Sequence, residues 1–197
     1  MKLEPNHLYH VYNQGNDRQQ IFFSREDYPF FLKKVRKHIL PEADVLAYCL
    51  MPNHYHFLIY TSEQSCVRVK AGNIEVQRLT NAVRVISSSY TNFINKRDER
   101  SGSLFRQRTK FKLLTSKEQP PNLGFICFHY IHQNPLKAKI VKAMEDWEFS
   151  SFRDYAGLRN GSLCSFKLAE SILGLTKEGF IEESQLIMRD DVQKLIH

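Results

Sequence analysis

Two strand-like runs joined by a very short turn restrict the fold of this 197-residue chain more than any other feature. Val45–Leu50 and His54–Tyr60 both have the composition of strands, and only Met51, Pro52 and Asn53 separate them. Parallel strands need a crossover connection of a dozen or more residues, so these two strands are antiparallel neighbours. The sequence therefore predicts a β-hairpin within a sheet.

The elements on either side of this hairpin extend the pattern. Apolar residues three or four positions apart predict helices, and alternation predicts strands. In chain order these are a strand over His7–Asn13, a helix from Ser24 to Pro41, the hairpin, a loop over residues 61–76, a helix through Leu79 and Phe93, a strand over Leu104–Leu114, and a helix over Asn122–Asn134 ended by Pro135. The order is that of an α+β, ferredoxin-like split βαβ antiparallel sheet, whose two crossover helices leave one sheet face open for a site.

Composition places the chain among ordinary globular proteins. Hydrophobic residues make up 42% and charged residues 25%, which excludes wholesale disorder, collagen and coiled coil. We expect one domain over residues 1–157 and a helical C-terminal extension over residues 158–197. Leu186, Ile187 and Leu195 fit a helix that packs back onto the domain.

The charge is positive and uneven along the chain. Lys and Arg number 28 against 21 Asp and Glu, a formal charge of +7. Residues 161–197 carry 4 basic and 6 acidic side chains, a net charge of −2, so residues 1–160 carry +9. A basic body indicates a polyanionic partner, most often nucleic acid, although a basic isoelectric point is also common among soluble proteins.

Four cysteines occur, and no two of them form a C-x-x-C pair. This spacing excludes a zinc ribbon and a C-x-x-C redox motif. The N-terminal residues lack the apolar stretch of a signal peptide, and no run approaches the roughly 18 apolar residues of a membrane span. The four cysteines are Cys49, Cys66, Cys127 and Cys164, and we expect three of them to be buried thiols. This is typical of a reducing compartment, so we expect a cytoplasmic protein.

The two histidines of the second hairpin strand are a candidate metal pair. Residues two apart on a strand share a face, so His54 and His56 project together. Tyr55, Phe57 and Ile59 point to the other face, where they are expected to meet the crossover helices. The histidines then lie on the open face, where two imidazoles can bind a divalent metal. The alternative is a pair of histidines that are simply exposed on the surface or hydrogen-bonded.

A tyrosine and an asparagine share one face of the last predicted helix. Tyr130 and Asn134 are four residues apart, so both can address one point. The amide oxygen of Asn134 suits a hard cation, and the phenol of Tyr130 could be a nucleophile. Only roughly one phenol in a thousand is ionised at pH 7, so a nucleophilic tyrosine needs activation. Because the chain has nine tyrosines, a core aromatic is the alternative for Tyr130.

A basic stripe is predicted on the strand before that helix. Residues 96–117 contain eight basic and two acidic side chains, and four basic residues alternate at Arg106, Arg108, Lys110 and Lys112. Charges at alternate strand positions point to one surface, which suits a phosphate backbone. The alternative is a solvated edge strand that its basic side chains protect from aggregation.

Together these residues resemble the REP-associated tyrosine transposases, a group of single-tyrosine HUH transposases within the insertion-sequence transposases. The resemblance extends from about Tyr9 to Tyr155, although the stretch from Ser62 to Gln77 is longer than the usual connection. The segments that carry it come in the family's order: Tyr9–Arg18, Cys49–Ile59, Ser101–Arg108, Tyr130–Ala138 and Trp147–Phe152.

The resemblance implies a catalytic helix against the open face of the sheet. It implies that His54, His56 and Asn134 bind a divalent metal, Mg²⁺ or Mn²⁺, and that Tyr130 is the nucleophile. The expected activity is nicking and strand transfer of single-stranded, hairpin-associated DNA through a 5′-phosphotyrosine intermediate. Two alternatives stay open: a hairpin-DNA-binding protein without transposition activity, and a zinc-binding module that would need further soft ligands. The family includes monomers and homodimers, and the sequence does not decide between them.

Overall fold

The computed structural model describes residues 2–176, 178–186 and 193–196. Its strands are β1 (Leu8–Gln14), β2 (Ala43–Met51), β3 (His54–Thr61), β4 (Arg68–Ala71), β5 (Ile74–Gln77) and β6 (Lys110–Leu113). Its helices are α1 (Asp27–His38), α2 (Glu63–Cys66), α3 (Arg78–Arg97), α4 (Leu123–Lys137), α5 (Phe152–Tyr155), α6 (Phe166–Leu173), α7 (Phe180–Leu186) and α8 (Gln193–Ile196). Short 3-10 turns lie at Asn16–Arg18 and Met144–Asp146. Within the described ranges, no helix has both the length and the apolar character that crossing a bilayer requires.

Four strands form one antiparallel sheet in the order β2-β3-β1-β6. Met51 pairs with His54, so Pro52 and Asn53 alone connect β2 to β3. This confirms both the predicted hairpin and the ferredoxin-like order, in which β1 and β3 are the central strands. The predicted helix before the hairpin begins at Asp27 rather than Ser24.

The two faces of the sheet are covered by different helices. Tyr55, Phe57 and Ile59 are buried in one core cluster together with residues of α1 and α3. The opposite face packs against α4, where Cys49 and Leu58 share a second cluster with residues of that helix. The predicted assignment of side chains to faces is confirmed, and α4 occupies the face that the crossover helices leave open.

The predicted loop over residues 61–76 is wrong, because this stretch contains α2 and a second hairpin, β4–β5. Ala71 pairs with Ile74, so Gly72 and Asn73 form a two-residue turn. Gly72 has a φ of 70°, a conformation that glycine adopts without a steric penalty. A Gly-Asn pair between alternating residues is a hairpin signal that could have identified this element.

The predicted strand over Leu104–Leu114 is also wrong in extent, since β6 covers only Lys110–Leu113. Tyr12 pairs with Lys110, whereas Gly15 forms an isolated bridge with Phe105. From Tyr12 to Gly15 is three residues along β1, whereas from Lys110 back to Phe105 is five. The segment before β6 therefore has two extra residues, which bulge out of the sheet. A bulge of this kind re-aims the side chains of its strand.

Pro135 does not end α4 as predicted, because the helix continues to Lys137. Proline removes one helical donor, the one that would bond the carbonyl of Ile131. The side-chain amide of Asn134 donates to that carbonyl at 3.4 Å and to the carbonyl of Tyr130 at 2.8 Å. This substitute donor explains why the last turn tolerates the proline.

The C-terminal extension contains helices where the structure describes it. Phe180 of α7 and Ile196 of α8 are buried in the cluster under α4. Leu186 and Leu195, which were predicted to pack back, are instead 79% and 41% exposed. Ile187 lies outside the described residues.

Candidate active site

The two histidines of β3 lie side by side on the α4 face of the sheet. Their ring centroids are 4.9 Å apart and their planes are nearly perpendicular. His56 is 2% exposed and pairs across the sheet with Tyr12, whereas His54, at the start of the strand, is half-buried. Strand alternation places both histidines on one face, and the position of His54 at the strand end leaves it at the rim while His56 lies in the interior.

Helix α4 brings the predicted nucleophile to this pair. The ring of Tyr130 lies 5.7 Å from that of His56 and makes an edge-to-face contact with it. Asn134, one turn later, is buried and bonded to the carbonyl of Tyr130. The structure therefore unites His54, His56 and Tyr130, with Asn134 fixed beside the tyrosine.

A third histidine, which the sequence analysis did not single out, belongs to this group. His10 of β1 is fully buried, and its ring lies nearly parallel to that of His56, with centroids 5.0 Å apart. Its Nε2 lies 2.8 Å from Nδ1 of His56. His10 lies two residues before Tyr12, which pairs with His56, so alternation along β1 places His10 and Tyr12 on the face of the site.

The donor atoms of the site suit a divalent cation with open coordination positions. Nδ1 of His54 lies 2.6 Å from the side-chain oxygen of Asn53, so Nδ1 carries the proton and Nε2 the lone pair. The amide nitrogen of Asn134 faces the helix backbone, which leaves its oxygen as the atom that could coordinate a metal ion. Two imidazole nitrogens and one amide oxygen form a mixed donor set that admits Mn²⁺ as well as Mg²⁺.

The described residues can also be compared with the donor sets of structural zinc sites. Among the residues that the structure describes, no three His, Cys, Asp or Glu side chains are grouped so that they could hold a metal ion. The four cysteines are free thiols, with Cys49, Cys127 and Cys164 buried and Cys66 half-buried. This confirms the expectation of three buried thiols.

The phenol of Tyr130 is neutral at physiological pH. Burial raises its pKa above the ordinary value for tyrosine, and the nearby Cys127 acts in the same direction, while a hydrogen bond with the Asn134 side chain lowers it. One cation is close, because Nζ of Lys137 lies 5.9 Å from the centroid of the Tyr130 ring. Nucleophilic attack by this phenol therefore requires activation when the substrate binds.

The four basic residues predicted as one stripe form two groups. Lys110 pairs with Tyr12 and Lys112 with His10, so both lysines share the sheet face of the histidines. Arg106 and Arg108 precede β6 in the bulge. The predicted strand alternation is wrong for Arg106 and Arg108, because the bulge interrupts the strand before Lys110.

The two arginines line a groove between the bulge and α3, and Lys110, at the start of β6, lines it as well. The groove has a volume of about 870 Å³, and Arg84 of α3 also lines it, together with hydroxyl-bearing residues of the same helix. None of the described residues that line it is acidic. A surface of this composition favours an anionic ligand.

Comparisons with known proteins add one finding at the level of the fold. No protein-family model matches the chain, and no curated protein sequence matches it. The structure is similar to that of a REP-associated tyrosine transposase bound to a REP hairpin, with a TM-score of 0.56 and 19% sequence identity. The match covers 84% of this chain and 92% of the other. The two proteins share a fold.

Proposed function

We propose that this protein is a metal-dependent nickase and strand transferase of single-stranded, hairpin-associated DNA. The observation that carries the proposal is the position of Tyr130, whose ring contacts His56 on the face that also holds His54. A potential nucleophile beside two imidazoles and an amide oxygen is the arrangement that phosphodiester cleavage through a tyrosine needs. The transposase of similar fold is bound to a REP hairpin, which supports DNA as the substrate class.

The reaction follows from these side chains. Oη of Tyr130 attacks the phosphorus, an O–P bond to tyrosine forms, and the bond to the 3′ oxygen breaks. The phenolic proton passes to solvent and the departing oxygen takes up a proton, leaving a 3′-hydroxyl and a 5′-phosphotyrosine. A divalent ion held by His54, His56 and Asn134 would polarise the scissile phosphate. Because the phosphotyrosine conserves the phosphodiester, a 3′-hydroxyl can reverse the step and rejoin DNA without ATP.

Two positively charged regions would hold the DNA. Lys110 and Lys112 lie on the site face, where they would contact the single strand that enters the site. Arg106 and Arg108 line the groove beside α3, where they would contact a second part of the same DNA. Lys110 also lines that groove, so the two regions adjoin at this residue.

A hairpin-binding protein without cleavage activity is the second candidate. The observation that favours it is the burial of Tyr130, which is 6% exposed and whose pKa is raised. A cleaving enzyme must bring a phosphate to this phenol, whereas a binding protein need not.

A covalent-adduct assay distinguishes the two candidates. The full chain is incubated with hairpin-flanked single-stranded DNA and Mn²⁺, and denaturing electrophoresis detects protein attached to DNA. We expect an adduct that EDTA and Tyr130→Phe abolish, that His54→Ala strongly reduces, and that the control Tyr60→Phe, at the far end of β3, leaves unchanged. DNA binding without an adduct would favour the second candidate, and an adduct that survives Tyr130→Phe would exclude this tyrosine as the nucleophile.

A further inference from the structure

His10 connects the candidate metal site to the C-terminal helix α8. Its Nδ1 lies 3.0 Å from the main-chain oxygen of Ile196, and its Nε2 lies 2.8 Å from Nδ1 of His56. His10 and Ile196 are both 0% exposed, and His56 is 2% exposed. The two contacts join three buried groups that are far apart in the sequence.

The chemistry of these groups fixes the direction of both hydrogen bonds. A carbonyl oxygen only accepts, so Nδ1 of His10 carries the ring proton. A neutral imidazole has one N–H, so Nε2 of His10 is an acceptor and Nδ1 of His56 donates to it. His56 is then in the tautomer whose lone pair is on Nε2, the atom that a metal ion would take.

We propose that His10 is a positioning residue that holds His56 in its metal-binding tautomer and ring orientation. The inference rests on the proposed function, because it assigns His56 the role of a metal ligand. A ligating histidine commonly donates its other N–H to a nearby acceptor, which fixes the ring and raises the basicity of the ligating nitrogen. His54 has such an acceptor in the adjacent Asn53, whereas His56 obtains one from another strand.

A role for His10 as a third metal ligand is less consistent with the geometry. Both of its ring nitrogens are within hydrogen-bond distance of other groups, one at Ile196 and one at His56. Ligation of a metal ion through Nε2 of His10 would break its hydrogen bond with His56. The metal ion would then need the space that Nδ1 of His56 occupies. The planes of the two rings are 21° apart and their centroids 5.0 Å apart, which fits an N–H···N hydrogen bond between ring edges and supports one ring acting through the other.

Nitrogen NMR of the metal-free, full-length protein tests the tautomers without any activity measurement. Long-range proton–nitrogen correlations distinguish a protonated Nδ1 from a protonated Nε2. We expect the Nδ1–H form for both His10 and His56 at neutral pH. The Nε2–H form at His56 would overturn the proposal.

Metal affinity of matched variants tests the consequence. His10→Phe keeps an aromatic ring but removes the acceptor, and His10→Gln can place an amide oxygen near the position of Nε2. By Mn²⁺ titration followed by electron paramagnetic resonance, we expect His10→Phe to bind 10–100-fold more weakly. His10→Gln is expected to recover most of that loss. The control His129→Phe, a substitution at another fully buried histidine, is expected to match the wild type.

Each outcome decides the role of His10. Unchanged Mn²⁺ affinity in a folded His10→Phe protein would contradict positioning, and complete loss in both His10 variants would indicate direct ligation instead. If His10→Phe does not fold, the NMR tautomers and His10→Gln still decide. A wild type that binds Mn²⁺ but forms no DNA adduct would refute the proposed nicking activity while leaving the role of His10 intact.

Discussion

The side-chain amide of Asn134 donates a hydrogen bond to the main-chain oxygen of Tyr130, 2.8 Å away. It also reaches the carbonyl of Ile131, which lacks a helical donor because residue 135 is proline. These contacts turn the amide nitrogen toward the helix and the oxygen away from it. Pro135 therefore helps to orient a candidate metal ligand, although proline usually ends a helix.

Asn134→Asp tests this orientation. A carboxylate cannot donate to the carbonyls of Tyr130 and Ile131, so we expect the metal-free protein to lose about 1–2 kcal/mol of unfolding free energy. Urea denaturation in EDTA measures the change. Asn122→Asp, at an exposed position before α4, is the control and is expected to leave stability within about 0.5 kcal/mol of wild type. Equal stability of Asn134→Asp and wild type would contradict the role of the amide hydrogen bonds.

The two basic groups are expected to contact different parts of the DNA. Removing a contact to a single strand lowers the slope of log affinity against log salt by about 0.7, and removing a contact to a duplex lowers it by about 0.9. We expect Lys110→Gln with Lys112→Gln to weaken binding of the single-stranded flank. Arg106→Gln with Arg108→Gln is expected to weaken binding of the isolated hairpin.

A control with equal charge removal makes this test specific. Lys33→Gln with Lys37→Gln removes two exposed charges from α1, away from the groove and the site. Fluorescence anisotropy over a range of salt concentrations gives the slopes for all three double variants. A loss in the control as large as in the other two would show that net charge, rather than position, governs binding.

Stability is expected to fall in mild acid because of a buried histidine on α4. Burial lowers the pKa of His129 from 6.5 to about 4, so the folded state resists its protonation. Above pH 6.5 the ring is neutral in both the folded and unfolded states and has no effect on the pH dependence. As the pH falls from 6.5 to 4, only the unfolded state takes up the proton, which costs the fold about 3 kcal/mol.

Urea unfolding at several pH values measures this dependence. His129→Phe removes the titrating group, so its free energy of unfolding is expected to decline less steeply than that of wild type between pH 6.5 and 4. Parallel curves for the two proteins would show that the histidine titrates alike in the folded and unfolded states.

The sequence was sufficient for the parts of the site that depend on local periodicity. Alternation along β3 placed His54 and His56 on one face and Tyr55 on the other. Helical spacing placed Tyr130 and Asn134 on one side of α4. The short turn between β2 and β3 indicated their antiparallel pairing, and the order of strands and helices along the chain indicated the sheet.

The missed features depend on contacts between distant segments. The bulge before β6 depends on Asn13, whose side chain donates to the carbonyl of Arg106 and to the hydroxyl of Thr109. His10 joined the site through a partner 46 residues away. A periodic pattern within one segment carries no information about such partners.

The most direct test of the central claim is to locate the DNA on the protein. The covalent adduct is digested with protease and nuclease, and mass spectrometry identifies the peptide that retains a nucleotide. We expect the modified peptide to contain Tyr130, joined through its phenolic oxygen to a 5′-phosphate. Attachment to any other residue, or the absence of an adduct with Mn²⁺ and Mg²⁺ alike, would contradict the assignment of Tyr130 as the nucleophile.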